Sequence, residues 1–272
     1  MATVIDGKKL AKKYEKVFKS AIQAEGIHPV LIIATCDPDD ASQVYLRNKL
    51  KACERVGIEC RIIEFGESHD TDSLISQIQL WNNDPEVSGI IVQLPLPKRF
   101  NVKAIQETIS PEKDVDGFSP NSKFDCCTPR ACLRMLEDYD IEVAGKHCVV
   151  IGRSEIVGKP LAKMLIDANA TVTLCHSKTT AIQLENVCRM ADIIFCAAGV
   201  ANLVKPEYIK QGCVLVDVSI NRDGEGNLCG DAEAGCEVYC DYYTPVPGGV
   251  GPMTVNTLLY HTLLAALGDS NV

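Results

Sequence analysis

The chain has 14 Cys and 5 His but no CxxC pair and no HxxxH pair. The common zinc-site spacings are therefore missing. Cys126-Cys127 are adjacent, and Cys229, Cys236 and Cys240 stand seven and four positions apart, which leaves zinc only as a minor alternative. The main reading of the thiols is small buried hydrophobes with some exposed members. One Cys in about twenty residues is also below the density of a disulfide scaffold. No apolar run approaches the ~18 residues of a membrane span. The opening MATVIDGKKLAKKYEK has no apolar stretch of the secretory kind. A reducing cytoplasm is thus the expected compartment. Positive charge is scarce as well: 27 Lys+Arg face 36 Asp+Glu, a net −9. That balance argues against a broad nucleic-acid footprint, though not against a few basic residues around a small anion. No internal repeat or low-complexity tract is present.

What remains is an ordinary globular composition. Hydrophobic residues make up 46% and charged residues 23% of 272, which excludes disordered, collagen-like and coiled-coil chains. The length suits two domains. Helical periodicity is expected over 6–24, 39–56, 72–81, 130–139, 158–168, 180–189 and 255–267. Apolar, β-branched runs mark strands over 29–35, 58–65, 88–97, 147–152, 170–175, 191–199 and 213–219. Strand and helix alternate in both halves, which predicts right-handed βαβ units and mostly parallel sheets. Periodicity fails over 110–129, SPEKDVDGFSPNSKFDCCTP, a long loop of the kind that is often functional. The expected domains are 1–129 plus 252–272, and 130–251.

Strand, glycine turn and helix follow one another in VVIGRSEIVGKPLAKML, with Gly152 at the turn and Gly158 opening the helix. A helix N-terminus suits phosphate, but GxxxxxG is not the strict GxGxxG. Spacing alone leaves a dinucleotide site and an ordinary βα turn both open. The next strand ends LCHSKTT, without the carboxylate that holds a ribose 2′-hydroxyl in NAD sites. His176, Ser177, Lys178 and Arg153 are donors there, which favours NADP over NAD; Lys178 reads equally as a solvated surface charge.

In the first half, Ser42, Tyr45 and Lys49 share a helix, with Tyr45 and Lys49 four apart on one face. A Lys beside an aromatic ring and away from water can serve as an acid/base; a solvated helix face gives the same spacing. Gln93 lies inside the apolar run IIVQLPLP, where a buried amide needs partners or a polar ligand. Asp116 fits either a heterocycle's amino-pyrimidine edge or an Asx-turn into Gly117.

Together SQVYLRNK, GIIVQLPLP, PEKDVDGF, CTP, GRSEIVGKP, VTLCHS, ADIIFCAAG and TPVPGGVGPMT, in this order over 42–254, resemble the methylenetetrahydrofolate dehydrogenase/cyclohydrolases. The resemblance implies two α/β domains with a cleft between them, the second Rossmann-like, and a last helix returning to the first domain. It implies NADP-dependent oxidation of 5,10-methylenetetrahydrofolate to the 5,10-methenyl cation, then hydrolysis to 10-formyltetrahydrofolate. This is one-carbon chemistry of the kind that feeds purine biosynthesis. The partners implied are tetrahydrofolate derivatives and a second copy of the chain, joined through the cofactor domain; no nucleic acid or membrane is expected.

Carried over by motif, Lys49 is the key catalytic residue, Tyr45 stacks on the folate, Gln93 holds Lys49, and Asp116 binds the pterin edge. Leu94, Pro95, Pro247, Gly248 and Gly249 line the folate site. Gly152, Arg153, Ser154, Ile156, His176, Ser177 and Thr254 form the cofactor site. The chain departs from the family pattern at Ser119 (usually His), in the short loop 122–126, at Ala131 (usually Gly), at Ser219 (usually Gly) and at His261 (usually Asn). Ser219 is expected to crowd the cofactor, lowering affinity or altering NADP/NAD choice. The alternatives are a dehydrogenase-only enzyme, which the retained Lys49 opposes, a silent folate- or nucleotide-binding protein, and a shikimate-type dehydrogenase.

Overall fold

A computed structural model of the chain describes residues 2–37 and 40–268. It divides into two compact units, Lys12–Cys127 with Val255–Val272, and Met1–Ala11 with Thr128–Thr254. The first is called here the lysine unit and the second the glycine unit.

The lysine unit is built on a three-stranded parallel sheet. Its strands are β2 (Val30–Cys36), β3 (Glu59–Phe65) and β4 (Gly89–Val92), in the order β3-β2-β4. Alternate side chains of β2 point to opposite faces. Leu31 and Ile33 pack with α1 (Gly7–Glu25), α2 (Asp40–Val56) and α8 (Val250–Leu267) through Phe18, Ile22, Leu46, Cys53, Leu258 and Leu259. Ile32 and Ala34 pack on the other face with α3 (Thr71–Asn83) and α4 (Val102–Thr108), through Leu74, Ile78, Trp81 and Ile105. A sheet covered on both sides explains why its strands read as unbroken apolar runs.

The glycine unit holds a six-stranded parallel sheet in the order β1-β11-β8-β7-β5-β6. Its strands are β1 (Thr3–Val4), β5 (His147–Ile151), β6 (Thr171–Cys175), β7 (Ile193–Cys196), β8 (Cys213–Asp217) and β11 (Cys240–Tyr243). Between them come α5 (Cys127–Asp138), α6 (Gly158–Asp167), α7 (Ala181–Met190) and the antiparallel hairpin β9 (Asn221–Arg222) and β10 (Leu228–Cys229). The start of α7 is set by a capping box: Thr180 accepts from the Gln183 N–H, and the Gln183 side chain accepts from that of Thr180. From β5 the chain steps outward to β6 and then returns to β7 on the opposite side of β5. In such sheets that reversal opens a crevice at the carboxyl ends of the strands.

The expected elements are present, with four differences. The strand over 88–97 stops at Val92, because two prolines cannot donate to a ladder. The closing helix starts at Val250, not at 255, with Pro252 in the first turn where its missing N–H costs nothing. Residues 2–11, expected with the first domain, group with the glycine unit, because Thr3–Val4 pairs with Tyr242–Tyr243. The short elements β1, α4, β9, β10 and β11 carried too few residues to show a period. Asp39, the expected first residue of α2, lies outside the described residues, as does the side chain of Ser42. Among the described residues no helix is long and apolar enough to cross a membrane.

Candidate functional site

Lys49 sits in the middle of α2 and is only 4% exposed. A buried ammonium needs partners, and two are in place. Its Nζ donates to Gln93 Oε1 at 3.0 Å and lies 4.8 Å from the centre of the Tyr45 ring, one helical turn earlier. Gln93 is just past the end of β4 and half-buried; its own Nε2 donates to Leu94 O at 2.9 Å. Both ends of the amide are therefore committed, and its oxygen can only face the lysine. Leu94 packs on the apolar cluster under β4, and Pro95 is exposed.

The long loop after α4 closes the group. Lys113 O accepts from the Ile90 N–H at 2.7 Å, so the segment runs beside β4. Gly89 is bare for that reason, since a Cβ there would lie 2.7 Å from Val115. Asp114 is fully buried and accepts from the N–H groups of Phe118 (3.0 Å) and Ser119 (2.6 Å). Burial pushes its carboxyl up to about 6, partly opposed by those bonds. Asp114, then, organises the turn, and Asp116 is left beside the lysine group. The Asp116 charge reaches both Tyr45 and Cys127. Loss of water around the Tyr45 hydroxyl, followed by the Asp116 charge, holds that hydroxyl well above its usual range. Cys127 is buried, its thiol donates to Val115 O at 3.3 Å, and it is raised chiefly by burial, followed by the Asp116 charge.

The short loop and His261 turn out to be one packing arrangement. The short loop folds back so closely that a Cβ on Gly117 would meet the Asp125 carbonyl at 2.5 Å. It delivers Phe124 onto His261, with ring centres 5.0 Å apart. His261 Nδ1 lies 2.9 Å from Val115 O, inside the KDVDGF segment. Ser119 Oγ accepts from the Asn121 N–H within the same turn.

In the glycine unit the backbone carries the site. Gly152 ends β5 with φ +124°, and a Cβ there would be 2.0 Å from Ala197 O, beyond β7. Gly158 opens α6 with equally little room, 2.1 Å from Gly152 O. Ser154 Oγ accepts from the Gly158 N–H at 3.3 Å. Arg153 and Ser154 are exposed in the turn, with Ile156 beside them 42% exposed. Because Ile151 pairs with Cys175, the turn after β6 lies beside this one and brings exposed Ser177 and Lys178 next to Arg153. His176 holds that second turn, its Nδ1 accepting from the Lys178 N–H. The cradle fits a dinucleotide phosphate: no side chains crowd it, a helix N-terminus faces it, and basic donors flank it.

Thr254 lies on α8, with its hydroxyl bonded to Val250 O and near Thr128 Oγ1; these bonds do not bring it to the glycine turn. Pro247, Gly248 and Gly249 follow β11 in the glycine unit. There Gly248 O accepts from the Lys8 N–H, and a Cβ on Gly7 would strike Gly249 O at 1.8 Å.

Two family models match the chain. One, "Tetrahydrofolate dehydrogenase/cyclohydrolase, catalytic domain", covers residues 5–116. The other, "Tetrahydrofolate dehydrogenase/cyclohydrolase, NAD(P)-binding domain", covers residues 126–269. The chain belongs to the tetrahydrofolate dehydrogenase/cyclohydrolase family. The bifunctional protein FolD of Acidovorax ebreus (strain TPSY) is 45% identical over 97% of the chain and 98% of its own length. The crystal structure of the Campylobacter jejuni bifunctional FolD matches with a TM-score of 0.95 at 39% identity, over 98% of this chain and 99% of that one. The Trypanosoma brucei dehydrogenase-cyclohydrolase, solved with NADP and an inhibitor, matches at 0.93 and 33% identity, over 100% and 99%. The catalytic model of the family falls on the lysine unit. The NAD(P) model runs past the glycine unit into α8, whose buried face packs with the lysine unit.

Sequence spacing put Tyr45 and Lys49 on one helix face, and the resemblance implied that Gln93 holds Lys49; the structure has Gln93 accepting from Lys49, and Asp116 beside them. Sequence reasoning missed the role of Asp114, and the thiols around Lys49. Cys53 and Cys60 lie beside Lys49 and interact with each other, and that interaction leads in lowering the Cys60 thiol. All fourteen cysteines are free, eleven of them buried. Among the described residues no group of three or more Cys, His, Asp or Glu is placed to hold a metal.

Proposed function

We infer that this chain oxidises 5,10-methylenetetrahydrofolate with NADP and then hydrolyses the methenyl product to 10-formyltetrahydrofolate. The observation that carries this reading is the buried Lys49, fixed by Gln93 and Tyr45 in a family that has both activities. The donor set around Gly152 supports NADP over NAD: Arg153, Ser177 and Lys178 offer charge and hydrogen bonds to a 2′-phosphate, and no carboxylate opposes it. When bound, the oxidised nicotinamide accepts a hydride from the methylene carbon. The protein's share of that step is to hold the carbon in place. Tyr45 offers a flat face to the folate, and Asp116 accepts hydrogen bonds from the amino-pyrimidine edge. Leu94 and Pro95 border the same group of residues.

Hydrolysis then adds water to the cationic methenyl carbon. The added water loses one proton to give a neutral carbinolamine. As the bond from that carbon to N5 breaks, the carbinol O–H proton is given up, N5 takes up a proton, and the formyl group stays on N10. Lys49 Nζ is the group that holds and moves the proton, and Gln93 is the positioning residue that aims it. The dehydrogenase-only reading leaves a buried, doubly held lysine without a task. The reading includes a homodimer joined through the glycine unit and a cytoplasmic site of action.

The test is spectrophotometric. Protein is mixed with methylenetetrahydrofolate and NADP, or with NAD, and reduced cofactor and the methenyl species are followed. Reduced cofactor with only transient methenyl is expected with NADP. Persistent methenyl would leave a dehydrogenase alone, and no reduction with either cofactor would overturn the assignment. Sedimentation equilibrium is expected to give twice the 29.6 kDa chain mass.

A further inference from the structure

Two buried carboxylates in the glycine unit take no part in the chemistry above. Asp231 is 0% and Asp217 4% exposed. Asp231 collects five donors. Three are backbone N–H groups, of Ala198 (2.7 Å), Gly199 (3.2 Å) and Val200 (2.8 Å). The others are Ser219 Oγ (2.8 Å) and Asn221 Nδ2 (2.9 Å). A buried carboxylate so supplied holds its donors firmly. Ser219 Oγ also accepts from the Gly199 N–H at 3.1 Å. The Ser219 N–H goes to Asp217, which accepts from Asp231 and Ala232 as well. Position 230 must be glycine, because a Cβ there would lie 2.0 Å from Asp217 Oδ2.

The segment held in this way, 198–200, leaves the end of β7. It lies where the strand order reverses around β5, with Ala197 O touching the Gly152 turn. Segment 198–200 and the glycine turn thus lie side by side at the carboxyl ends of β5 and β7, the place where such sheets open a groove for ligands. Three successive N–H groups turned inward onto Asp231 are withdrawn from any ligand, and Val200, 51% exposed, is presented outward instead. Ser219 does not crowd this groove with its hydroxyl, which is bonded inward to Asp231.

We propose that Ser219 is a positioning residue which, through Asp231, fixes the 198–200 wall against which the nicotinamide half of the dinucleotide is seated. The adenosine half is held independently by the Arg153 and Ser177 turns. This rests on the reading of the glycine unit as an NADP site. The hydroxyl adds one donor to the Asp231 cluster and one acceptor for Gly199.

Three measurements on the intact protein, Ser219→Ala and Ser219→Thr test it. They are the Kd for NADPH, the Kd for 2′,5′-ADP, and amide hydrogen exchange at 198–200 without ligand. Removing one hydroxyl bond of ordinary strength predicts about 3–10-fold faster exchange at Gly199 and about 3–10-fold weaker NADPH binding in Ser219→Ala. 2′,5′-ADP binding is expected to be unchanged, and Ser219→Thr to restore both losses. Unchanged exchange and NADPH binding in Ser219→Ala would overturn the proposal, as would equal weakening of 2′,5′-ADP. Failure of the native protein to bind either nucleotide would overturn the cofactor reading instead, and faster exchange at Gly199 would still report the clamp.

Discussion

The lysine unit and the glycine unit solve opposite problems. Around Lys49 the proposed chemistry falls to side chains, and the fold must bury an amine and aim it. Around Gly152 side chains are excluded because backbone passes within contact distance of backbone, and the proposed ligand is left to backbone and surface donors. The first arrangement depends on residues far apart in the chain: Lys49 from α2, Gln93 beyond β4, Asp116 from the long loop. The second is nearly contiguous, from the end of β5 to the start of α6. A site made of converging side chains tolerates changes in its loops if the packing closes again. A site made of bare backbone does not tolerate an added methyl group.

The largest effect that sharpens this contrast is expected from Lys49→Met. Methenyl hydrolysis should fall at least about 1,000-fold, a range typical of losing a positioned proton-transfer group with its contacts. Folate binding, measured by equilibrium titration, should change only several-fold. Unchanged hydrolysis would break the assignment of Lys49. Next is Gly152→Ala, which forces a Cβ into Ala197 O at a φ of +124°. NADPH affinity should fall about 100-fold or more, while folate binding is retained; equal loss of both would mean the two sites are not separable in this way.

The third test compares the two units by pH. Burial raises Asp114 in one and Asp217 in the other from 3.8 to about 6. Between those values the folded chain binds more protons than the unfolded chain, so stability from these groups falls as pH rises from about 4 to about 6. Each contributes up to roughly 3 kcal/mol of that slope. Urea denaturation at several pH values should show it, and Asp114→Asn and Asp217→Asn should each flatten their own share. The smallest effect is expected from Arg153→Ala: about tenfold weaker NADP binding with NAD unchanged, read from the two KM values. A parallel change with NAD would remove the 2′-phosphate role.

The departures from the family pattern divide along the same line. Ser119, the short loop and His261 looked like three independent changes. In the structure Phe124 from the short loop stacks on His261, which bonds the Val115 carbonyl. The short loop and His261 thus fit one another, while Ser119 bonds within its own turn to Asp114 and Asn121. Ser219 belongs instead to the carboxylate cluster behind the glycine groove. No single-chain pattern announces such a relation, because Ser219, Asp231 and Gly199 meet only when β7, β8 and the segment after β10 are assembled.

The order of strands and helices was written in the chain itself, because apolar runs covered on both faces and helices with a buried stripe leave periodic traces. So was the glycine turn, because backbone that must pass within contact distance of other backbone admits only one residue type. The residue identities around Lys49 were legible too, but as isolated candidates whose spacing suited a solvated helix equally well. Only the tertiary structure decided that Gln93 faces Lys49, that Asp114 rather than Asp116 makes the turn, and that Asp231 holds the loop after β7. The first and last are contacts between groups distant in sequence, which leave no local signal. The Asp114 bonds reach only four and five residues on, and which of the two aspartates takes them depends on how the loop is buried beside β4.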